Sequence, residues 1–129
     1  MYVETWVNRR AARNTIVNSE TTQNFMAKIG VKSLNILWHQ DTGKMKLINL
    51  VALLVLGVAK GTPIKLKIWI GQTNFVVVKM DDFDIVLGMD FLLKQKVIPM
   101  PLTKCLVVTR SNPTIIQTNT RQLKGIKLM

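Results

Sequence analysis

The sequence predicts a single domain that is mostly β. Its apolar runs are short, rich in β-branched residues and separated by turn residues, which is typical of strands. Hydrophobic residues make up 48% of the 129 residues and are spread along most of the chain, which is enough for one compact core. The apolar run at residues 85–87 precedes helix formers at 89–95, which predicts a buried strand leading into a short helix.

The N-terminal part of the chain predicts a hairpin followed by a short helix. The elements are, in order, a strand at residues 2–7, a turn at 8–10, a strand at 14–17 and a helix through 25–29. Thr21 or Thr22 can cap this helix, and Gly30 is placed to end it.

The middle of the chain predicts a series of strands joined by tight turns. The strands are expected at residues 34–37, 44–49, 53–59, 64–69 and 74–80. The turns are expected at Gly43, Gly61, Pro63 and Gly71.

The C-terminal part predicts the end of the domain and a tail. Gly88 permits a close backbone approach that a Cβ would block, and Asp90 lies where a helix dipole favours negative charge. Closing strands are expected at residues 97–100 and 104–108. From Thr109 onward the composition is polar and basic, so we expect a domain over residues 1–108 and a linker or tail over 109–129, leading toward a further region.

Charge and cysteine content restrict the class of protein. The net charge of +11 favours polyanions such as RNA or DNA, without identifying a partner. Cys105 is the only cysteine, so no intramolecular disulfide can form, and we expect a reducing, intracellular and cytoplasmic location. The longest uncharged run, residues 47–59, is well short of the ~20 residues that cross a bilayer as a helix, so no membrane association is expected.

Three stretches together resemble the retropepsin-like aspartic protease domain of plant gypsy-class LTR retrotransposon gag-pol polyproteins. Residues 16–25 resemble the apolar strand, the Asp-Ser/Thr-Gly loop and the Ala-Thr-His-Asn-Phe continuation of that family. Residues 84–92 are similar to its most specific signature, in which an apolar strand ends in glycine and a short helix. Residues 97–108 resemble its closing strand, and residues 112–129 resemble the connector toward reverse transcriptase.

The resemblance implies a fold, an assembly and a chemistry. The fold is a retropepsin-like closed β-barrel with one or two short helices, also called the acid protease fold. The assembly is a homodimer in which each subunit contributes one aspartate, and the two carboxylates share a proton. The activity is endopeptidase cleavage of a polypeptide substrate, as in polyprotein processing, and it needs neither a cofactor nor a metal.

The candidate catalytic residues depart from the family pattern. Asn18 stands at the position of the catalytic aspartate, Ser19 follows it, and Glu20 replaces the usual glycine. Thr22 belongs to the same loop, and Gln23 replaces the usual histidine, which is a milder change. The structural signature comprises Ile85, Val86, Leu87, Gly88 and Asp90. Because an amide can neither take a proton from water nor donate a carboxyl proton, we expect a kept fold and a lost peptidase activity.

Other motifs have simpler interpretations. Asp41-Thr42-Gly43 spells the catalytic triplet, but its polar flanks predict a surface turn. Glu20 is not expected to replace the lost aspartate, because it lies two residues along a tight loop. The acidic group of Asp81, Asp82 and Asp84 predicts a solvated turn rather than a metal site. Structural roles are favoured for His39, Cys105 and the tryptophans Trp6, Trp38 and Trp69.

For two features, the flap region and the overall function, the sequence is compatible with more than one interpretation. In the family a hairpin near residues 49–56 closes over the substrate, but here its tip has no glycine, so a buried strand pair is slightly favoured over a mobile flap. Besides an inactive endopeptidase, the chain could be a non-catalytic module that binds nucleic acid or another partner, with its basic tail at residues 110–127 for nucleic acid. A degenerate remnant without function is a third hypothesis.

Overall fold

The structure is a computed structural model that describes residues 1–12, 14–48, 51–67, 69–80, 83–109 and 113–119. The N-terminal elements are β1 (Thr5–Val7), β2 (Arg10–Ala12), β3 (Thr15–Val17), β4 (Phe25–Ala27) and α1 (Lys28–Ser33). The long central strands are β5 (His39–Ile48), β6 (Val51–Leu66) and β7 (Trp69–Lys79). The C-terminal elements are β8 (Ile85–Leu87), α2 (Met89–Lys94), β9 (Val97–Met100), a 3-10 turn (Pro101–Thr103), β10 (Cys105–Val108) and β11 (Thr114–Gln117).

The main sheet closes on itself. It contains eight strands in the order β2-β1-β6-β7-β4-β8-β3, with β5 paired to β6. Strand β3 then pairs with the residues that precede β1, since the Val3 N–H donates to the Thr15 carbonyl at 3.1 Å and the Val17 N–H donates to the Met1 carbonyl at 2.8 Å. An antiparallel bridge between Tyr2 and Ile16 belongs to the same contact. The predicted class, mostly β with a curled barrel-like sheet and one or two short helices, is confirmed, and the described residues form two short α-helices.

The turns expected at Gly61, Pro63 and Gly71 are absent, because these residues lie inside the long strands β6 and β7. Gly61 and Pro63 lie inside β6, and Gly71 lies inside β7. The β6–β7 register shifts between Ala59 and Thr62, and Gly61 has a φ of +62° at this irregularity. A glycine with positive φ suits a bulge within a strand as well as a turn, so the residue type alone does not distinguish the two.

Strand β4 replaces the start of the predicted helix. Phe25, Met26 and Ala27 are all buried, and β4 pairs with β7 on one side and β8 on the other. Pairing within the sheet therefore overrides the local helical pattern. Helix α1 begins at Lys28 and contains Gly30 instead of ending there, and residues 34–37 form no strand.

A second sheet has three strands in the order β11-β10-β9. Its strand β11 falls within the segment predicted as a linker, where polar composition hides the buried Ile116. The tail residues 110–112 and 120–129, which include all four predicted basic positions, lie outside the described part of the chain.

The strands of the main sheet carry apolar side chains on both faces. The main core includes Met26, Ile85, Leu87 and Phe91, and the Phe91 ring packs edge-on against Trp69 at 5.5 Å. On the opposite face lies a smaller apolar cluster, which we call the loop-side cluster because its member Ile16 lies two residues before Asn18 and so on the same side of β3. Its buried members are Phe25, Val78 and Val86, and half-buried members include Ile16, Leu53, Val55, Val76, Met80 and Phe83.

The predicted flap region is an antiparallel hairpin of β5 and β6. Paired positions run down to Ile48 and Val51, and the tip residues 49 and 50 lie outside the described residues. Residues 53–56 are half-buried, so the expectation of a strand pair is confirmed, although the pair is not fully buried. Asp41 and the two residues after it lie within β5, where the register shifts between Gln40 and Lys44, so the prediction of a turn there is wrong. No helix within the described ranges combines the length and the apolar character that crossing a membrane requires.

Candidate active site

The loop that contains Asn18 is fixed by a parallel pair of strands. Strand β3 pairs with β8 so that Val17 lies beside Leu87. The Asn18 N–H then donates to the Leu87 carbonyl at 3.0 Å, which continues the ladder by one bond. Because parallel strands end at the same sheet edge, the Asn18 loop and Gly88 lie side by side. Asn18 is half-buried, whereas Ser19 and Glu20 are exposed.

The Asn18 side chain closes the loop on itself. Its Oδ1 accepts a hydrogen bond from the Glu20 N–H at 2.9 Å, which is the geometry of an Asx turn. The Thr21 hydroxyl donates to the Asn18 carbonyl at 3.1 Å. A carboxylate oxygen could accept the same bond from Glu20, so the loop shape is compatible with aspartate at position 18.

Gly88 permits the loop and α2 to approach each other. A Cβ at this position would lie 2.5 Å from the Thr21 hydroxyl oxygen, 2.9 Å from the Thr21 carbonyl oxygen and closer still to the Gln23 carbonyl oxygen. The predicted close backbone approach at Gly88 is confirmed. Thr21, considered in the sequence only as a helix cap, is the buried threonine of the loop; the predicted site residue Thr22 is exposed and offers its carbonyl to the Asp90 N–H at 2.7 Å.

The other residues of the predicted signature lie on β8 and at the start of α2, next to the Asn18 loop. Ile85, Val86 and Leu87 are buried, and Ile85 and Leu87 face the main core while Val86 faces the loop-side cluster. Asp90 is half-buried in the first turn of α2, where the helix dipole favours its charge. The structure therefore brings these positions and the Asn18 loop into one region.

Asn24 is the central hydrogen-bonding residue of this region, and the sequence analysis did not single it out. Its side chain is 1% exposed. Its Oδ1 accepts from the Gly88 N–H at 2.9 Å and the Phe91 N–H at 3.2 Å. Its Nδ2 lies within hydrogen-bond distance of the Thr73 hydroxyl, the Asn74 carbonyl and Asp90 Oδ2. One amide thus joins the loop to α2 and β7, and the sequence signal for it was only its place in the family pattern.

We expect Asn24→Ala to lower the free energy of unfolding by about 2–4 kcal/mol, because two buried N–H groups lose their acceptor. Urea denaturation at one protein concentration measures the change. Asn74→Ala is the matched control, since it removes an exposed asparagine whose Oδ1 accepts one bond from the Gly61 N–H. We expect the control to cost less than about 1 kcal/mol. Equal losses in the two variants would contradict the role of Asn24.

The alternative motifs lie apart from the Asn18 loop in the sheet. Asp41 is exposed on β5, and His39 on the same strand pairs with Val58 of β6. Asp81 and Asp82 lie outside the described residues. Cys105 is buried, with its Sγ 3.1 Å from the Thr103 hydroxyl. Within the described ranges no group of three or more His, Cys, Asp or Glu side chains is arranged to hold a metal ion.

The three tryptophans have different environments. Trp69 belongs to the main core, and Trp38 packs partly buried against it. Trp6 is half-buried, and the Lys65 ammonium lies 6.0 Å from its ring centre. Two of the three are therefore used in packing, which weakens a base-stacking interpretation for them.

The loop-side cluster forms an apolar wall next to Asn18. Ile16 and Val86 are register partners in β3 and β8, and Phe25 pairs with Val86 across β4 and β8. Leu53 and Val55 reach the same cluster from the β5–β6 hairpin. Half-buried apolar side chains between the Asn18 loop and a hairpin are suited to contact an extended peptide.

Comparisons with known proteins identify the fold. No protein-family model and no curated protein sequence matches the chain. Among solved structures, the chain is similar to the retroviral protease-like domain of Ddi1 from Leishmania major, with a TM-score of 0.74 and 18% sequence identity over 94% of this chain and 97% of that chain. The chain has a retroviral protease-like fold. A similarity at 18% sequence identity establishes the architecture alone, so it carries no information on activity.

Proposed function

We propose that the chain is a retropepsin-like domain that descends from the aspartic endopeptidase of a plant gypsy-class retrotransposon polyprotein and no longer hydrolyses peptides. The observation that carries the proposal is the amide of Asn18 at the end of β3. Its backbone bond to Leu87 and the neighbouring Gly88 support its assignment to the catalytic position. The retroviral protease-like fold supports the ancestry, and the loop residues support the loss of activity.

Loss of activity follows from the proton chemistry of aspartic proteases. One carboxylate takes a proton from the attacking water, while the other, protonated, donates to the scissile carbonyl. A homodimer of this chain would bring Asn18 and the partner subunit's Asn18 together, and two neutral amides can do neither. General acid and base groups each contribute about 10²–10⁴-fold to such rates. Water bound between the two amides would therefore not be activated.

The homodimer itself is also proposed, and Glu20 weakens it. In this fold the active site lies between two subunits, and the glycine of the loop packs near the two-fold axis. Glu20 is exposed, with only its N–H tied to the Asn18 side chain. Its carboxylate would then face that of the partner subunit, and like charges at short distance repel.

The proposed remaining activity is binding without cleavage. The loop-side cluster provides apolar contacts along the route an extended chain would take between the Asn18 loop and the β5–β6 hairpin. Binding of this type uses main-chain hydrogen bonds for affinity and side-chain contacts for selectivity. The nucleic-acid-binding alternative has less support, because two of the three tryptophans, Trp38 and Trp69, serve packing.

The test is a peptidase assay on purified protein. We expect no pepstatin-sensitive cleavage of a fluorogenic peptide library at acidic to neutral pH, where an aspartic dyad would share one proton. An active retroviral protease assayed in parallel controls for substrate and inhibitor. Cleavage that pepstatin abolishes and that co-purifies with the folded protein would refute the proposal.

A further inference from the structure

A groove beside α1 adjoins the loop-side cluster and, among the described residues, shares only Met80 with it. It lies between α1 and strands β6 and β7, and its volume is about 470 Å³. Three lysines line it, namely Lys28, Lys32 and Lys79, and the described lining includes no acidic side chain. All three lysines are exposed.

The fold brings lysines from two separate elements to one groove. Lys28 and Lys32 lie four residues apart on α1, so they occupy the same helix face and repel each other. Lys79 lies on β7, directly opposite Leu54 of β6 in the ladder. Such an arrangement is unfavourable alone and is relieved when a negatively charged group binds between the lysines.

The floor of the groove is aliphatic. Leu54, Leu56 and Met80 are half-buried, and Ile29 of α1 is 66% exposed. A large exposed isoleucine beside a concave apolar surface is typical of a contact site. Among the described lining residues there is no aromatic side chain on which a nucleic-acid base could stack.

We propose that this groove, formed by α1 and strands β6 and β7, binds an acidic segment of another polypeptide that also inserts an aliphatic side chain. The lysines provide charge complementarity for carboxylates, and the aliphatic floor provides the contact for the inserted side chain. RNA satisfies only the first requirement. The inference does not depend on Asn18 or on the loss of peptidase activity.

The test uses a synthetic fluorescent peptide with the sequence Glu-Asp-Leu-Glu-Leu-Asp-Glu. We expect it to bind the wild-type protein, and we expect two control peptides to bind at least about tenfold more weakly: one with serines for leucines and one with amides for carboxylates. In an amide NMR titration, the peptide should shift signals of residues 28–32, 54–56 and 79–80. Shifts confined to other residues would overturn the proposal, as would equal binding of the three peptides.

A matched pair of charge-reversal variants tests the lysines. Lys28→Glu with Lys32→Glu and Lys79→Glu is expected to weaken peptide binding about tenfold or more, because attraction becomes repulsion. Lys60→Glu with Lys65→Glu and Lys94→Glu changes the net charge equally at exposed lysines elsewhere, and should weaken binding less than about threefold. Circular dichroism verifies that both variants fold. Equal weakening by the two variants would show nonspecific charge attraction and would overturn the proposal.

A competition experiment separates the peptide from other polyanions. We expect neither a ten-nucleotide oligouridylate nor anionic phosphatidylserine vesicles to displace the peptide from the groove. Displacement by either one, with the same dependence on Lys28, Lys32 and Lys79, would assign the groove to nucleic acid or to lipid and refute the peptide assignment.

Discussion

Asn18→Asp combined with Glu20→Gly is expected to produce a pepstatin-sensitive peptidase with a rate about 100-fold or more above that of the wild-type protein. The first change returns an ionisable oxygen to the end of β3. The second removes an exposed carboxylate from the loop, which in the proposed homodimer would face the partner subunit. The loop should accept both changes, because an aspartate oxygen can take the 2.9 Å bond that Asn18 Oδ1 now accepts from the residue 20 N–H.

The single variants serve as controls for this result. Glu20→Gly alone should remain inactive, since it restores the loop but no carboxylate. Asn18→Asp alone should show less activity than the double variant if charge repulsion at position 20 weakens the dimer. Rates are measured with a fluorogenic peptide, and sedimentation reports the dimer fraction. A folded, dimeric double variant without activity would contradict the assignment of Asn18 to the catalytic position.

Gly88→Ala is expected to cause the largest loss of stability, about 3 kcal/mol or more. The added Cβ would meet the Thr21 hydroxyl at 2.5 Å and the Gln23 carbonyl at a shorter distance. Backbone carbonyls cannot move away without breaking the bonds that fix the loop to α2. Among these is the bond from the Met89 N–H to the Thr21 carbonyl, at 2.8 Å.

Gly30→Ala is the matched control for this prediction. A Cβ at Gly30 would make ordinary contacts, the nearest being the Asp84 carbonyl at 3.4 Å. Because Gly30 lies inside α1, alanine should instead stabilise the protein by up to about 1 kcal/mol. Thermal and urea unfolding of both variants at one protein concentration gives the comparison. A Gly88→Ala protein as stable as the wild type would contradict the close approach of loop and helix.

The strand at residues 85–87, Gly88 and helix α2 could be predicted from the sequence because their signals are local. A continuous apolar run predicts a strand buried on both faces, and the change of period after glycine predicts the helix. Strands β3, β9 and β10 are also predicted locally, from short apolar runs that follow turn residues. The structure confirms each of them, with boundaries that differ by one residue at most.

The missed features depend on contacts between distant parts of the chain. The segment Phe25–Ala27 has a helical pattern but forms a central strand, because β7 and β8 pair with it. Asn24 bonds to residues 49 to 67 positions away, so nothing in its neighbourhood indicates its role. Strand β11 escapes prediction because its two isoleucines stand among polar residues, and only Ile116 of the two is buried. Gly61 and Pro63 indicate turns by residue type, whereas β6 uses Gly61 at an irregularity within a strand.

A crystal structure of the wild-type protein, in the assembly that it forms in solution, tests the central claim most directly. The measured quantity is the distance between the carboxamide of Asn18 and that of the partner subunit. We predict that the two groups face each other across a two-fold axis at hydrogen-bond distance, about 3 Å, with Gly88 beside each loop. An assembly that places Asp41 or another pair of carboxylates at the axis, with the Asn18 loops apart, would contradict the account.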